Sequence, residues 1–442
     1  MKYQVLILSY IFFCRTLLAQ DLEVHRILIG TKSVPDTSEV RLTLIARIQC
    51  YNSYVKNNND IYDRSIGSPK SAIILEEKNK FYINNLENKA TTVYDLTDFS
   101  MLKNIKHKFT KDDSFLFKDT SLFDYKFHTR NSQFNIFQGK PVEGCLSHNK
   151  EYLWVTYYRR TYDLNAVDPS ALAIIDTDKD EIVRVMPTGP LPKMIACSPD
   201  NRYIAVTHWG DNTIGIIDIS SNDVDSFKYI KLFEVGTRRS LSYDNTTKID
   251  RDKDCGYCLR GTVFSPDSKY LLVARMGGGG IAVFDMTGMK YIRSVFGMHT
   301  NIRHLTVLGD QLYLSTNITG YVQIANVYDL INTAINSKSD YTNWKSRYVG
   351  KGVRTIAVSG DGKYIFSAVN NESKVSVIRA ADMNIISTIN VDSFPVGMDI
   401  ANEIPRLIVT SQGRIPFGGG QSVMIFKIEK ETEKGTGKRT TP

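Results

Sequence analysis

Residues 189–220 read GPLPKMIACSPDNRYIAVTHWGDNTIGIIDIS. A short apolar run, Met194 to Cys197, meets a Ser-Pro-Asp-Asn turn at 198–201. A β-rich run follows (Tyr203 to Thr207), then Gly210-Asp211-Asn212, then a third run ending in Ile216-Ile217-Asp218. Proline, glycine, asparagine and aspartate take turn dihedrals that strand interiors avoid, so the stretch reads as a meander of short strands. Three strands alone cannot bury a core.

The stretch recurs. Gly261 to Asp285 repeats the turn at Ser265-Pro266-Asp267 and the closing Val283-Phe284-Asp285; Val353 to Val377 repeats it with Ser359-Gly360-Asp361-Gly362. Weaker copies begin near Pro69, Pro141, Ile302 and Val396. Seven units at spacings of about 45 to 70 residues, loops included, point to blades of a propeller. The expected fold is therefore all-β, a single seven-bladed β-propeller over residues 20–428, and a chain of 442 residues with 42% hydrophobic content can bury such a core. Glu39 to Gln49 alternates apolar and polar residues without a hairpin partner. The last unit supplies only three strands, so this N-terminal strand is expected to complete the last blade and close the ring.

Lys2, the apolar stretch Val5 to Phe13 and Leu17-Leu18-Ala19 read as a secretory signal over residues 1–19, placing the protein in the periplasm, at the cell surface or outside. Cys14 admits lipid attachment instead, although Phe12 and Phe13 make a poor lipobox. Losing Lys2 and Arg15 with the signal lowers the formal charge from +8 to +6, which does not demand nucleic acid. From Glu429 to Pro442 the composition is that of a disordered tail. The 109–137 connection, rich in aromatics, is expected to elaborate blade one, and a short helix is expected within Leu330 to Trp344.

The repeated Ser-Pro-Asp-x-(Lys/Arg)-Tyr turn, β-run, Gly/Asn loop and Val/Ile-Asp close resemble the YVTN-type β-propeller repeat family, in an exported, bacterial, YncE-like form. The resemblance covers roughly residues 67 to 428 and implies a seven-bladed ring. It implies little chemistry, because family members include lactonases as well as ligand- and surface-binding modules.

Aligning the units on the aromatic that opens the second strand exposes a register. Lys193, Arg260, Arg303 and Arg354 stand ten residues before Tyr203, Tyr270, Tyr313 and Tyr364, and Lys70 stands eleven before Phe81. Val142 and Gly397 are the exceptions. Five cations where the first strand leaves the channel mouth are costly unless an anion shares the site. The other reading is that each cation pairs with a nearby carboxylate or carbonyl. Loops after the second strand share that face and carry Tyr157, Tyr158, Arg159, His208, Trp209, Arg275 and Arg414. An aromatic beside cations suits a sugar or a planar anion, although Trp209 equally suits blade packing.

The expected role is a monomeric binding or scaffold module for an anionic small molecule, a glycan or a partner protein, without a cofactor. The candidate ligand-binding residues are Lys70, Lys193, His208, Trp209, Arg260, Arg275, Arg303, His304 and Arg354. A lactonase-like hydrolase is the alternative, with His304 as its candidate catalytic base, although no paired carboxylates or Ser-His-Asp order accompany it. Cys255-Gly-Tyr-Cys258 lacks the histidine of haem attachment and the second pair of a zinc site, so it reads as a local disulfide; a redox-associated role is the second alternative. Asp250, Asp252 and Asp254 hint at calcium, but Arg251, Lys253 and Gly261 break the pattern, so no metal is expected. Gly277 to Gly280 opens no helix and reads as a turn.

Overall fold

The computed structural model describes residues 27–50, 59–118, 122–123, 137–160, 163, 165–242, 249–413 and 420–430. Residues 1–19, expected to be a signal segment, with Cys14, the aromatics Tyr125, Phe127 and Phe134, Arg414 and residues 431–442, expected to be a tail, lie outside the described residues.

Seven sheets follow one another along the chain. Strand β1 (Val40–Gln49) and the short β2 (Asp60–Tyr62) precede blade 1, which holds β3 (Pro69–Leu75), β4 (Lys80–Asn85), β5 (Ala90–Asp95) and β6 (Met101–Lys106). Blade 2 adds β7 (Lys108–Phe109) to β8 (Phe137–Ser147), β9 (Tyr152–Arg160), β10 (Ser170–Asp176) and β11 (Glu181–Thr188). Blade 3 is β12 (Pro192–Cys197), β13 (Tyr203–His208), β14 (Thr213–Asp218) and β15 (Lys228–Glu234). Blade 4 is β16 (Leu259–Phe264), β17 (Tyr270–Arg275), β18 (Ile281–Asp285) and β19 (Lys290–Val295). Blade 5 is β20 (Ile302–Leu308), β21 (Gln311–Thr316), β22 (Tyr321–Asn326) and β23 (Lys345–Tyr348). Blade 6 is β24 (Val353–Val358), β25 (Tyr364–Val369), β26 (Lys374–Arg379) and β27 (Asn384–Asn390). Blade 7 is β28 (Pro395–Ala401), β29 (Arg406–Ser411) and β30 (Ser422–Lys430), with β1 antiparallel to β30 as its fourth strand. Since β30 runs to Lys430, Glu429 and Lys430 belong to a strand and not to a tail.

The repeated turn is explained by its hydrogen bonds. In blades 3, 4 and 6 the serine hydroxyl donates to the aspartate two residues on: Ser198 to Asp200 at 2.6 Å, Ser265 to Asp267 at 2.6 Å, Ser359 to Asp361 at 2.5 Å. The same hydroxyl accepts from the backbone N–H of Tyr203, Tyr270 or Tyr364. Each turn therefore satisfies its own polar groups and sets the start of the second strand.

The core lies between the blades as well as within them. One apolar cluster joins blades 3 and 4 (Ile214, Ile216 and Phe233 with Val273 and Phe284), and others join every successive pair. Strand β1 serves two of them. Val40, Leu42 and Leu44 pack with Phe366 and Val377 of blade 6, whereas Ala46 and Ile48 pack with Ile74 and Phe81 of blade 1. The change of side follows from the register shift between Leu44 and Ala46, because an extra residue moves the strand's alternation to the other face.

Two expectations are corrected in detail. The helix α1 runs Val327–Ile335, starting earlier than expected because the Asn326 side chain at the end of β22 accepts from the N–H groups of Tyr328 and Asp329. The 109–137 connection does not elaborate blade one alone: Phe109, Leu116 and Phe137 pack with both Ile105 of blade 1 and Tyr157 of blade 2.

Arg47 of β1 fixes the seam. Its guanidinium reaches Asp60 at 2.9 Å and Asp392, just before blade 7, at 3.2 Å, with all three residues buried. Removing one member of such a group strands the others away from water. Arg47→Met is expected to cost about 3–5 kcal/mol in chemical denaturation, against much less for the exposed Lys179→Met.

Candidate functional site

The first strands β3, β8, β12, β16, β20, β24 and β28 line one central cavity of about 350 Å³. Each of them slips register against its second strand at the same place: between Pro69 and Ser71, Pro141 and Gly144, Pro192 and Met194, Leu259 and Thr262, Ile302 and His304, Val353 and Ile356, and Pro395 and Gly397. The first residue of each bulge is Lys70, Val142, Lys193, Arg260, Arg303, Arg354 and Val396. A bulged residue leaves the strand's alternation and its side chain is re-aimed. This corrects the seventh position, which is Val396 and not Gly397.

The five cations converge. Burial and then the charges of Arg354, Arg260 and Arg303 hold the Lys70 amine well below its ordinary value. Burial, with Arg260 and Arg354 adding, holds Arg303 low in the same way, and burial followed by Arg260 brings Arg354 down to about 9. Glu143 opposes all of these shifts. It follows the bulged Val142 of blade 2 and reaches Arg260 of blade 4 at 3.3 Å, so the mouth is narrow enough for a contact that skips a blade. Nothing in the sequence register pointed to Glu143, because it follows the register position, where the other blades carry Ser71, Met194, Gly261, His304, Thr355 and Gly397.

Pairing is unequal around the ring. Lys193 lies 3.1 Å from Asp252 and is boxed by the rings of Tyr158 (3.9 Å) and Trp209 (4.8 Å). Tyr158 donates to the same Asp252 carboxylate, and the Trp209 indole donates to the Asp252 carbonyl at 3.0 Å. Lys70 has an amide contact at 3.5 Å with Gln412, and Arg303 meets, among the described residues, the Met276 sulfur at 3.6 Å. Among the described residues no carboxylate pairs with Lys70, Arg303 or Arg354, and Arg354 is 8% exposed without a side-chain hydrogen bond. The Nε atoms of Arg260 and Arg303 are likewise buried without an acceptor.

His304 follows Arg303 and lines the cavity. Burial, then Arg260 and Arg303, push its pKa down to about 4, so the ring is neutral near pH 7. Its Nδ1 is buried and has no partner among the described residues. Asp399 of β28 also lines the cavity, on the far side of the bulge; it accepts from the Ile74 N–H at 2.7 Å, and burial raises it to about 6.

His208 is a correction. It is fully buried inside blade 3, bonded at 2.7 Å to both Thr188 and Thr213 and set edge-on to Phe123, and burial lowers its pKa to about 3. As the last residue of β13, pairing with Thr213, it faces the neighbouring strands and not the mouth. Tyr157 is also a core residue, donor or acceptor to His107 at 2.8 Å. Arg275 stands beside the ring, stacked on Tyr257 at 3.9 Å with Phe296 at 5.5 Å.

The strap that carries Asp252 and Tyr257 is closed by a bond between Cys255 and Cys258, S–S 2.07 Å. It lies against the Gly277–Gly280 turn: a Cβ on Gly277 would sit 2.5 Å from the Gly256 carbonyl oxygen and 2.9 Å from Cys258 Sγ, so only glycine fits there. Asp250, Asp252 and Asp254 are engaged by Lys253, by Lys193 and by Arg239 and Arg251 respectively. Strand β16 begins at Leu259, so a strand and not a helix follows this strap.

No protein-family model and no curated protein sequence matches the chain. Among solved structures it is similar to the Kuenenia stuttgartiensis hydrazine synthase (TM-score 0.55, 12% identity, 86% of this chain and 99% of that chain). It is also similar to the Myceliophteria thermophila Cps50 (Swd1) β-propeller domain (TM-score 0.53, 11% identity, 82% and 96%). At such identities, and with 1556 solved chains matching, the likeness carries the fold and no chemistry.

Two consequences are measurable. Arg354→Met removes a buried charge that pairs with no carboxylate among the described residues and is repelled by Arg260 more than Glu143 attracts it, so in anion-free buffer the variant is expected to be more stable, by about 1–3 kcal/mol. Lys193 carries a folded-state pKa lowered by burial to about 7 from 10.5, Asp252 opposing and Arg260 adding. Between those values the unfolded chain binds more protons than the folded one, so stability rises with pH across that window. Thermal unfolding at pH 7 to 10 is expected to show this slope in the native protein and a flatter one in Lys193→Met.

Proposed function

We propose that the protein is an exported binding module whose channel mouth takes an anionic ligand, whether free, on a glycan or on a partner protein. The observation that carries this reading is the set of Lys70, Arg303 and Arg354, gathered by equivalent bulges into one mouth without carboxylate partners among the described residues. Like charges drawn together in a partly dry site cost free energy that an anion returns. A propeller's rigid ring suits such a task, because the loops and strand ends at one face need no rearrangement to present their groups.

Export rests on the N-terminal apolar segment and agrees with a paired Cys255–Cys258. Among the described residues no helix is long and apolar enough to cross a membrane. Kinship with the YVTN-type, YncE-like propellers rests on the Ser-Pro-Asp turns of blades 3 and 4. The hydrolase reading is less favoured: His304 is a weak base, lowered by burial and by the charges of Arg260 and Arg303, and it has no hydrogen-bonded carboxylate among the described residues.

The test is thermal unfolding of the mature protein against organic acids, phosphates, sulfated oligosaccharides and acidic peptides. At least one anion class is expected to raise the midpoint, and Arg303→Met/Arg354→Met is expected to abolish that rise. A midpoint insensitive to every anion, or a rise that the double variant retains, overturns the reading.

A further inference from the structure

We infer that the mouth selects a small oxyanion carrying two or more negative charges, a polycarboxylate or a phosphate, that enters the channel rather than lying across it. This rests on the anion-binding reading above and adds the ligand's size and valence.

Depth sets the size. Arg260 and Arg354 are 5% and 8% exposed, and the Lys193 side chain is 13% exposed. A polymer chain or a folded partner resting on the rim does not reach donors set that deep. The cavity whose lining begins one or two residues past these bulges, about 350 Å³, is of the order that holds one small molecule.

Charge sets the valence. Lys70, Lys193, Arg260, Arg303 and Arg354 face Glu143 and Asp252 at the mouth and Asp399 in the cavity, so the excess is two positive charges once an anion has drawn protons onto the two lysines. A monovalent anion leaves half of that excess standing. Geometry sets the chemistry: Arg260, Arg303 and Arg354 come from three successive blades, and guanidinium groups grip carboxylate or phosphate oxygens through paired N–H donors. Among the described residues the buried Nε atoms of Arg260 and Arg303 have no acceptor, and a ligand's oxygens can supply one. The free strand edges that line the channel present backbone groups, which suits a hydrophilic ligand better than an acyl chain.

The lysines add a signature. An anion beside Lys193, whose amine is only partly protonated near pH 7, draws a proton onto it, so binding takes up protons and weakens as pH rises.

The test is calorimetric titration of the mature protein at low salt with citrate, succinate, inorganic phosphate and acetate, and with a sulfated oligosaccharide and an acidic peptide as extended anions. Measurements at pH 6.5 and 8.5, in two buffers of different ionisation enthalpy, read proton uptake. Citrate or phosphate is expected to bind with affinity at least about tenfold above acetate, to weaken at pH 8.5 with net proton uptake, and to lose about tenfold or more in Arg354→Met. Because Arg354→Met is expected to fold at least as well as the native protein, lost binding is not confused with lost structure; unfolding curves of both check this. Equal affinity for citrate and acetate, or binding unaffected by Arg354→Met, overturns the inference. If the extended anions bind in an Arg354-dependent manner and the small ones do not, the inference falls while the anion-binding reading stands. If none binds, both fall.

Discussion

Everything at the channel mouth depends on the antiparallel pairing of β1 with β30. An open arc of blades would leave the apolar faces of blades 1 and 7 in water and would not bring side chains from blades 1, 3, 4, 5 and 6 to a common axis. Strand β1 prevents both. It completes the last sheet, turns one set of side chains toward blade 6 and, past its register shift, another toward blade 1. Arg47 locks the seam by holding carboxylates from either end of the chain, Asp60 and Asp392. Such a buried triad gives less net stability than an apolar patch of the same volume would, but it defines one register.

The bulge at the start of every first strand then converts a repeated scaffold into a site. In blades 2 and 7 it presents Val142 and Val396; in the other five it presents a cation. The result opposes stability, since burial and mutual repulsion depress the basic groups together. Glu143 and Asp252 offset part of the repulsion, one from the ring itself and one from the disulfide-closed strap. The remainder is left for a ligand, in keeping with the way binding sites hold arrangements that the fold alone would not choose.

The sequence was legible where one residue type does one local task. Ser198, Ser265 and Ser359 close the same turn with the same two hydrogen bonds, so the repeat and its phase could be read directly, and with it the cation register. It was less legible where position along a strand decides between core and mouth. His208 and Trp209 are neighbours, yet the end of β13 turns one into the blade and the other onto Lys193. Glu143 was hidden because it stands one position past the cation register, where no other blade carries a carboxylate. Asp252 was visible only as part of an acidic run; its pairing with Lys193 spans 59 residues and depends on where the strap lies.

The most direct measurement is a crystal structure of the protein grown with citrate at low ionic strength. The account predicts oxyanion oxygens within hydrogen-bond distance of Arg303 and Arg354, inside the ring of first-strand bulges, with Lys193 still boxed by Tyr158 and Trp209. A mouth in which Lys70, Arg303 and Arg354 each meet a protein carboxylate, with citrate elsewhere or absent, would contradict it.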